Sequence, residues 1–184
     1  MKFNHLLVAV ATSTALLSAN VMAADAGTIT FTGSLTDTTC DVDIGGSGAD
    51  ATVALPPTSV SNLAVAGATS ARTQFTMELS GCTGGTVNTA KAYFQAGSTV
   101  DTSTGRLKNT DVSATGATNV SLQLRDGQTS SVIFPGDSAQ ITSAGYVDIT
   151  SGTASLPYFV EYYAESATTS GAVASQVTYN LTYQ

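Results

Sequence analysis

The sequence predicts an all-β protein built as a sandwich of two sheets. Short segments in which apolar and polar residues alternate recur along the chain, and this period of two is typical of strands with one buried face. Gly, Pro, Asn and Asp separate these segments, as expected for turns. The apolar residues of every segment are explained without an amphipathic helix, so the pattern favours an all-β sandwich.

Residues 1–23 are predicted to be a secretory signal peptide. Lys2 and His5 provide a basic start, an apolar run covers 6–19, and Val-Met-Ala at 21–23 gives a small-residue cleavage pattern. The apolar run is shorter than the ~20 residues that a membrane-spanning helix needs. We expect cleavage after Ala23, with Ala24 as the alternative, and an exported chain that is soluble and not anchored in a membrane.

The charge of the chain argues against nucleic-acid binding. Lys2 is the only charged residue of the first 23, so the exported chain keeps 5 Lys and Arg against 13 Asp and Glu, a net charge of −8. Nucleic-acid binding requires clusters of basic residues. About 160 exported residues are enough for one domain with a sizeable core.

The two cysteines, Cys40 and Cys82, are expected to form one disulfide, because an exported chain folds in an oxidising compartment. The bridge would close a loop that chain-entropy arithmetic values at roughly 4 kcal/mol. Redox and metal roles are disfavoured, since the spacing is not Cys-x-x-Cys and no histidine follows His5.

The exported chain is predicted to begin with a strand over 24–33. Its sequence, ADAGTITFTG, alternates strictly and places Gly27, Ile29, Phe31 and Gly33 on one face with threonines on the other. A chain terminus is normally frayed unless it is tied down. We therefore expect this segment to pair with another strand.

The remaining elements follow in order. An extended piece is predicted over 34–44, and a short helical turn is predicted within 59–68. Residues 99–118 are expected to be mostly loop or a weak hairpin, and Asp126-Gly127 indicates a hairpin. Further strands are predicted at 53–55, 75–79, 90–96, 120–124, 132–134, 146–149, 156–164 and 177–183. The two terminal strands could pair with each other inside one domain, and composition alone does not exclude that arrangement.

Several of these segments, taken together and in order, resemble the major subunits of chaperone–usher fimbriae, the type 1-like pilins. The resemblance covers nearly the whole exported chain. It rests on GTITFTG (27–33) before Cys40, FTMELSGC (75–82), ATNVSLQL (117–124), YYA (162–164) and a C-terminus with Gly171 fourteenth from the end and a penultimate Tyr183.

The resemblance implies an incomplete immunoglobulin-like sandwich (34–184) preceded by a donor-strand extension (24–33). The donor residues would be Gly27, Ile29, Phe31 and Gly33, which enter the groove of a neighbouring subunit. The residues of the acceptor groove, which also binds the chaperone, would be Gly171, Val177, Tyr179, Leu181, Tyr183 and Gln184. Because each contact is head-to-tail and does not close on itself, the product is a filament.

The resemblance also implies partners and a location. The expected partners are identical subunits, a periplasmic chaperone, an outer-membrane usher and a tip adhesin or adaptor subunit. The chain would pass through the periplasm to an extracellular fimbria that supports cell adhesion or biofilm formation. One departure concerns the extension, which has only three residues before Gly27 and places Asp25 where an apolar side chain is usual.

The sequence offers no catalytic or metal site. It has no histidine after His5, and no serine motif is paired with a base. Asp37, Asp41 and Asp43 lack the glycine and terminal glutamate of a calcium loop. The sequons Asn119-Val-Ser121 and Asn180-Leu-Thr182 both lie in predicted strands and are interpreted as chance matches. We expect no enzyme activity and no cofactor.

Two alternatives to a major subunit stay open at this point. A minor or adaptor pilin would share every motif. A stand-alone secreted β-sandwich that binds a ligand would need the sandwich to be complete without a donor strand. A tip adhesin is disfavoured, because the pilin-like pattern begins about four residues after the expected cleavage site and leaves no room for a receptor-binding domain.

Overall fold

A computed structural model describes residues 27–184. The chain divides into two units, Met1–Ser34 and Leu35–Gln184. The predicted signal peptide and residues 24–26, including Asp25, lie outside the described residues.

The described part of the first unit, residues 27–34, contains no strand. Its two large apolar side chains are exposed, Ile29 by 78% and Phe31 by 88%. The sequence predicts a strand here, and the structure differs. A strand is held by ladder hydrogen bonds to a neighbour, and all ladders of the described residues join strands that begin at Thr39 or later.

The second unit contains ten strands and two short helical turns. The strands are β1 (Thr39–Ile44), β2 (Thr69–Thr83), β3 (Thr89–Phe94), β4 (Val100–Asp101), β5 (Arg106–Lys108), β6 (Val120–Asp126), β7 (Val132–Ile133), β8 (Val147–Asp148), β9 (Ala154–Ala164) and β10 (Tyr179–Tyr183). A 3-10 turn covers Val60–Leu63, and a four-residue helix, α1, covers Ala139–Thr142. Among the described residues, none of the helices has the length and apolarity to cross a bilayer.

The strands form two sheets. The larger has the order β1-β2-β9-β6-β5-β4, with β7 also paired to β6. The smaller has the order β10-β3-β8. All strand pairs within both sheets are antiparallel. The strand order places β1 and β10 at edges of different sheets.

The two sheets pack face to face around one apolar core. The ring of Tyr158 on β9 meets the ring of Phe94 on β3 edge-on, with centroids 5.1 Å apart, and its hydroxyl accepts a hydrogen bond from the amide of Ala92 at 3.0 Å. The buried apolar residues come from both sheets and include Met77, Leu79, Ala90, Phe94, Leu107, Leu122, Leu124, Leu156, Tyr158 and Val160. The predicted β-sandwich is therefore confirmed.

Most predicted elements coincide with observed ones. The helical turn within 59–68 is present at Val60–Leu63, where the Ser59 hydroxyl accepts from the amide of Ser61. The weak hairpin within 99–118 is the β4–β5 pair, and the hairpin at Asp126-Gly127 joins β6 to β7. The prediction of a strand over 53–55 is wrong: these residues have no strand pairing, although Val53 and Leu55 pack against the core. Helix α1 is not predicted by the sequence.

A groove between two sheet edges

The disulfide between Cys40 and Cys82 is present and joins the edge strand β1 to its neighbour β2. The two Cα atoms are 4.1 Å apart. The predicted pairing is confirmed, and the bridge ties the edge strand β1, held by a ladder on one side only, to the neighbouring strand β2.

Strand β10 has one paired edge and one free edge. Gln184 exchanges two backbone hydrogen bonds with Thr89, at 2.9 and 3.0 Å, and the Thr178 carbonyl accepts from the amide of Gln95. In an antiparallel pair, hydrogen-bonded residues alternate with residues whose backbone groups point the other way. Tyr179, Leu181 and Tyr183 therefore turn their N–H and C=O groups away from β3, toward a side where no described strand pairs with β10.

A groove of about 950 Å³ lies beside this free edge. One wall is formed by β1, through Thr39, Cys40, Val42 and Ile44, and by the segment 49–55. The opposite wall is the segment 175–181 together with Tyr183. The floor is apolar and consists of Phe75, Met77, Phe94, Leu107, Leu122, Leu124 and Val160.

Two tyrosine hydroxyls cross the groove. Tyr183 Oη accepts a hydrogen bond from the amide of Cys40 at 3.1 Å, and Tyr179 Oη donates to the carbonyl of Ala49 at 2.8 Å. Adjacent strands of a sheet lie about 4.8 Å apart and bond through their backbones. Here β10 contacts the opposite wall through tyrosine side chains and not through backbone pairing. The edges β10 and β1 are therefore separated by the groove.

Burial raises the pKa of both phenols above the ordinary value. For Tyr179 the nearby carboxylate of Asp50 acts in the same direction. For Tyr183 the hydrogen bond from Cys40 opposes the rise without cancelling it. Both hydroxyls therefore stay protonated at neutral pH, as the hydrogen bond donated by Tyr179 requires.

The predicted acceptor residues fall into two groups. Val177, Tyr179, Leu181 and Tyr183 line the groove. Gly171 does not line it; its Cα lies against the backbone of residues 115–117, where an added Cβ would come within 2.4 Å of the Ala117 nitrogen. Gln184 does not line it either, and its backbone is bonded to Asn88 and Thr89.

The sequence did not single out the groove floor or the segment 49–55. The floor residues are recognisable as core positions of alternating strands, but their place in one groove depends on which strands are sheet edges. The sequence pattern also gives no indication of the role of Ser175. The Ser175 hydroxyl lies in the groove wall, is buried and has no hydrogen-bond partner among the described residues.

Of the acidic residues around Cys40, Asp43 has hydrogen-bond partners in the turn that follows β1. Asp43 accepts hydrogen bonds from the amides of Gly46 at 2.8 Å and Gly48 at 2.7 Å. Within the described part of the chain, no group of three or more His, Cys, Asp or Glu side chains is placed to hold a metal ion. The free edge of β10 and the apolar groove beside it suit the binding of an extended peptide.

Comparison with known proteins identifies the family. Residues 55–184 match the family model described as FimA, type-1 fimbrial protein, A. The chain is 44% identical over 173 residues to the major fimbrial subunit SMF-1 of Stenotrophomonas maltophilia, an alignment that covers 91% of this chain and 99% of that protein. It is 37% identical to the F17 fimbrial protein of Escherichia coli, with 86% of this chain and 87% of that protein covered.

Solved structures show the same fold. The P pilus rod subunit PapA superposes with a TM-score of 0.59 at 22% identity, covering 78% of this chain and 99% of that one. A subunit from a chaperone–usher pilus structure also gives a TM-score of 0.59 at 23% identity, covering 90% and 100%. Homologues of this kind are structural subunits and not enzymes. By its fold and its sequence, the chain belongs to the type-1 fimbrial protein family, as a pilus subunit of the chaperone–usher type.

Proposed function

We propose that copies of this subunit polymerise head-to-tail by donor-strand exchange, with residues 24–33 of one copy entering the groove of the next. The free edge of β10 beside the apolar groove carries this proposal. Donor-strand complementation of pilins is the established example of strand addition at a sheet edge, and the mode of binding is taken from it.

The chemistry of the N-terminal segment supports its role as the donor. Ile29 and Phe31 are large apolar side chains that are exposed in the single chain. Burying each of them in an apolar groove is worth ~1.5–3 kcal/mol. Gly27 and Gly33, on the same face, allow the backbone to approach the groove closely.

The free backbone edge of the groove wall also supports a role for a chaperone. An uncovered strand edge with an apolar trough beside it is an aggregation hazard. A subunit of this kind needs a temporary partner before it polymerises. We propose that a periplasmic chaperone occupies the groove first, through Val177, Tyr179, Leu181 and Tyr183, with the C-terminal carboxylate of Gln184 as an anchor for basic chaperone residues.

The route and the further partners belong to the same proposal. The subunit would be delivered to an outer-membrane usher and assembled on the cell surface behind a tip adhesin or adaptor subunit. The fibre would support adhesion or biofilm formation. A role as a minor or adaptor subunit is the second candidate, and the abundance of the chain in purified fibres separates the two.

The test uses the exported chain with Ile29 and Phe31 both changed to Asp. We expect the natural chain to form sodium dodecyl sulfate-resistant polymers and the variant to stay monomeric, as measured by gel electrophoresis and electron microscopy. Changing Thr28 and Thr32 to Asp adds the same charge to the opposite face of the segment and is the matched control. Polymers from the Ile29/Phe31 variant would contradict donor-strand exchange through this segment.

A further inference from the structure

The regular strand β10 is too short for the segment that is proposed to bind it. Its five residues, Tyr179–Tyr183, extend over about 17 Å at ~3.3 Å per residue, whereas a fully extended 24–33 segment covers about 33 Å. About half of the donor would then have no edge to pair with.

The chain before β10 continues the same edge without a neighbouring strand. On the side of this stretch that faces away from the groove, the hydrogen bonds are made by even-numbered residues. The carbonyl of Thr178 accepts from the Gln95 amide at 2.8 Å, that of Gln176 accepts from the Thr99 hydroxyl at 2.7 Å, and that of Ala174 accepts from the amide and hydroxyl of Thr110.

The odd-numbered residues of this stretch show the complementary pattern. The backbone groups of Val173, Ser175 and Val177 have no hydrogen bonds to other described residues. Ser175 and Val177 line the groove, as Tyr179, Leu181 and Tyr183 do. Unpaired backbone groups thus recur at every second residue over 173–183. This stretch is about 36 Å long at ~3.3 Å per residue.

The far end of this edge is held by two backbone hydrogen bonds and by the Asn109 side chain. The carbonyl of Ala172 accepts from the amide of Ala117 and the amide of Ala172 donates to the carbonyl of Thr115, both at 2.9 Å. The Asn109 Nδ2 donates to the carbonyls of Ala117 at 2.9 Å and Ala172 at 3.0 Å. Its Oδ1 accepts from the amides of Asp111 at 3.1 Å and Ala174 at 2.9 Å. The amide uses both of its donors and both acceptor positions to fasten residues 172–174 to the loop 109–117.

We propose that Asn109 is a positioning residue that extends the acceptor edge beyond β10, so that the edge matches the whole length of the donor segment. The inference rests on the proposed function. It adds that a side-chain amide, with Thr99 and Thr110, replaces the missing strand neighbour along half of the groove.

The experiment uses the exported chain with Ile29 and Phe31 changed to Asp, which disables its own donor, and a synthetic peptide of residues 24–33. Amide hydrogen exchange is measured with and without the peptide in the parent protein and in Asn109→Ala. In the parent we expect new protection at Val173, Ser175 and Val177 as well as at Tyr179, Leu181 and Tyr183. In Asn109→Ala we expect protection at 179–183 only, with peptide affinity reduced about tenfold, the effect of losing one or two net hydrogen bonds.

Two further variants guard against loss of folding. Asn109→Asp keeps the acceptor oxygen and loses the two donated bonds, and Thr99→Val removes only the bond to Gln176. Both should weaken protection at 173–177 and leave 179–183 unchanged. Asn62→Ala, which removes a side-chain amide that donates to the Thr58 hydroxyl, is the matched control and should behave like the parent.

The outcomes separate the two proposals. A parent protein that does not bind the peptide overturns donor-strand exchange and this inference with it. A parent protein that gains protection only at 179–183, or an Asn109→Ala variant with the parent's full pattern, overturns the role of Asn109 and leaves donor-strand exchange standing. A uniform loss of protection over 173–183 in every Asn109 variant also overturns it, because Asn109 would then act on the whole fold.

Discussion

The hydroxyl of Tyr183 accepts a hydrogen bond from the backbone amide of Cys40 at 3.1 Å, so a single side chain connects the edge strands of the two sheets. Tyr183 ends β10, and Cys40 lies on β1, where the disulfide to Cys82 fixes it to β2. The penultimate tyrosine of the C-terminal motif therefore has a role within the subunit as well as a proposed one toward the chaperone.

Removing this hydroxyl should destabilise the free subunit. Tyr183→Phe leaves the ring in place and the Cys40 amide without its partner, which we expect to lower the free energy of unfolding by about 1 kcal/mol. The corresponding drop in melting temperature for a domain of this size is about 2–4 °C. Tyr93→Phe is the control, because the Tyr93 hydroxyl has no hydrogen bond to other described residues. Equal melting temperatures for the two variants would show that the bond to Cys40 contributes nothing.

Gly171 is exposed, but we expect that it does not tolerate a side chain. A Cβ at this position would lie 2.4 Å from the Ala117 nitrogen and 2.5 Å from the Thr115 carbonyl oxygen, and both are backbone atoms that cannot rotate away. We expect Gly171→Ala to cost about 1–3 kcal/mol, as overpacking does elsewhere, measured by chemical denaturation. Gly97→Ala, where an added Cβ meets nothing within 4 Å, should change stability little. A similar small effect at Gly171 would mean that the 115–117 loop moves freely.

Stability should fall in acid, and Glu161 should account for a large part of the loss. Burial disfavours its charged form, but hydrogen bonds from Arg72 at 2.8 Å and Arg125 at 2.6 Å outweigh this effect and hold its pKa below the ordinary value of 4.5. A carboxyl with a lowered folded-state pKa stabilises the fold above its unfolded pKa. That contribution is lost as the pH falls from about 4.5 through the folded-state pKa.

The Glu161→Gln variant tests this assignment. It keeps the shape of the side chain and removes the charge, and we expect a loss of about 2–3 kcal/mol at pH 7, typical of hydrogen bonds to a charged group. The difference from the natural chain should shrink below pH 4 in thermal melts. Glu165→Gln is the comparison, because the Glu165 side chain is 39% exposed and its effect should be smaller. A pH-independent difference for Glu161→Gln would contradict the argument.

Which strands form was predictable from the chain, and how they assemble was not. Leu156, Tyr158 and Val160 alternate with polar or outward-facing residues, and that local pattern predicts a strand. The same pattern does not reveal that β1 and β10 are edges, because their pairings join residues far apart in sequence. The groove floor is a property of that assembly, so it could be expected only through the resemblance to pilins.

Two buried charged residues, Glu161 and Lys91, also show that a local strand pattern does not determine burial. Glu161 occupies a polar position of β9, yet it is 1% exposed, because Arg72 from β2 and Arg125 from β6 lie beside it. Lys91 alternates as expected in β3 and is 4% exposed, with its ammonium bonded to Ser143 and to the carbonyls of Gln140 and Ala144. Polar residues in a strand pattern predict an outward direction, and burial depends on what other elements place over them.

The unpaired hydroxyl in the groove wall gives a prediction of opposite sign. Ser175 Oγ is buried without a partner among the described residues, and such a group costs about 1–3 kcal/mol of desolvation. Ser175→Ala removes that cost and should raise the free energy of unfolding of the free subunit by about 1 kcal/mol. Ser121→Ala provides the contrast, because the Ser121 hydroxyl donates to Glu165 at 2.6 Å and its loss should destabilise. If Ser175→Ala destabilises as Ser121→Ala does, then the Ser175 hydroxyl has a partner in solution, and the groove wall is more polar in the free subunit than its described contacts indicate.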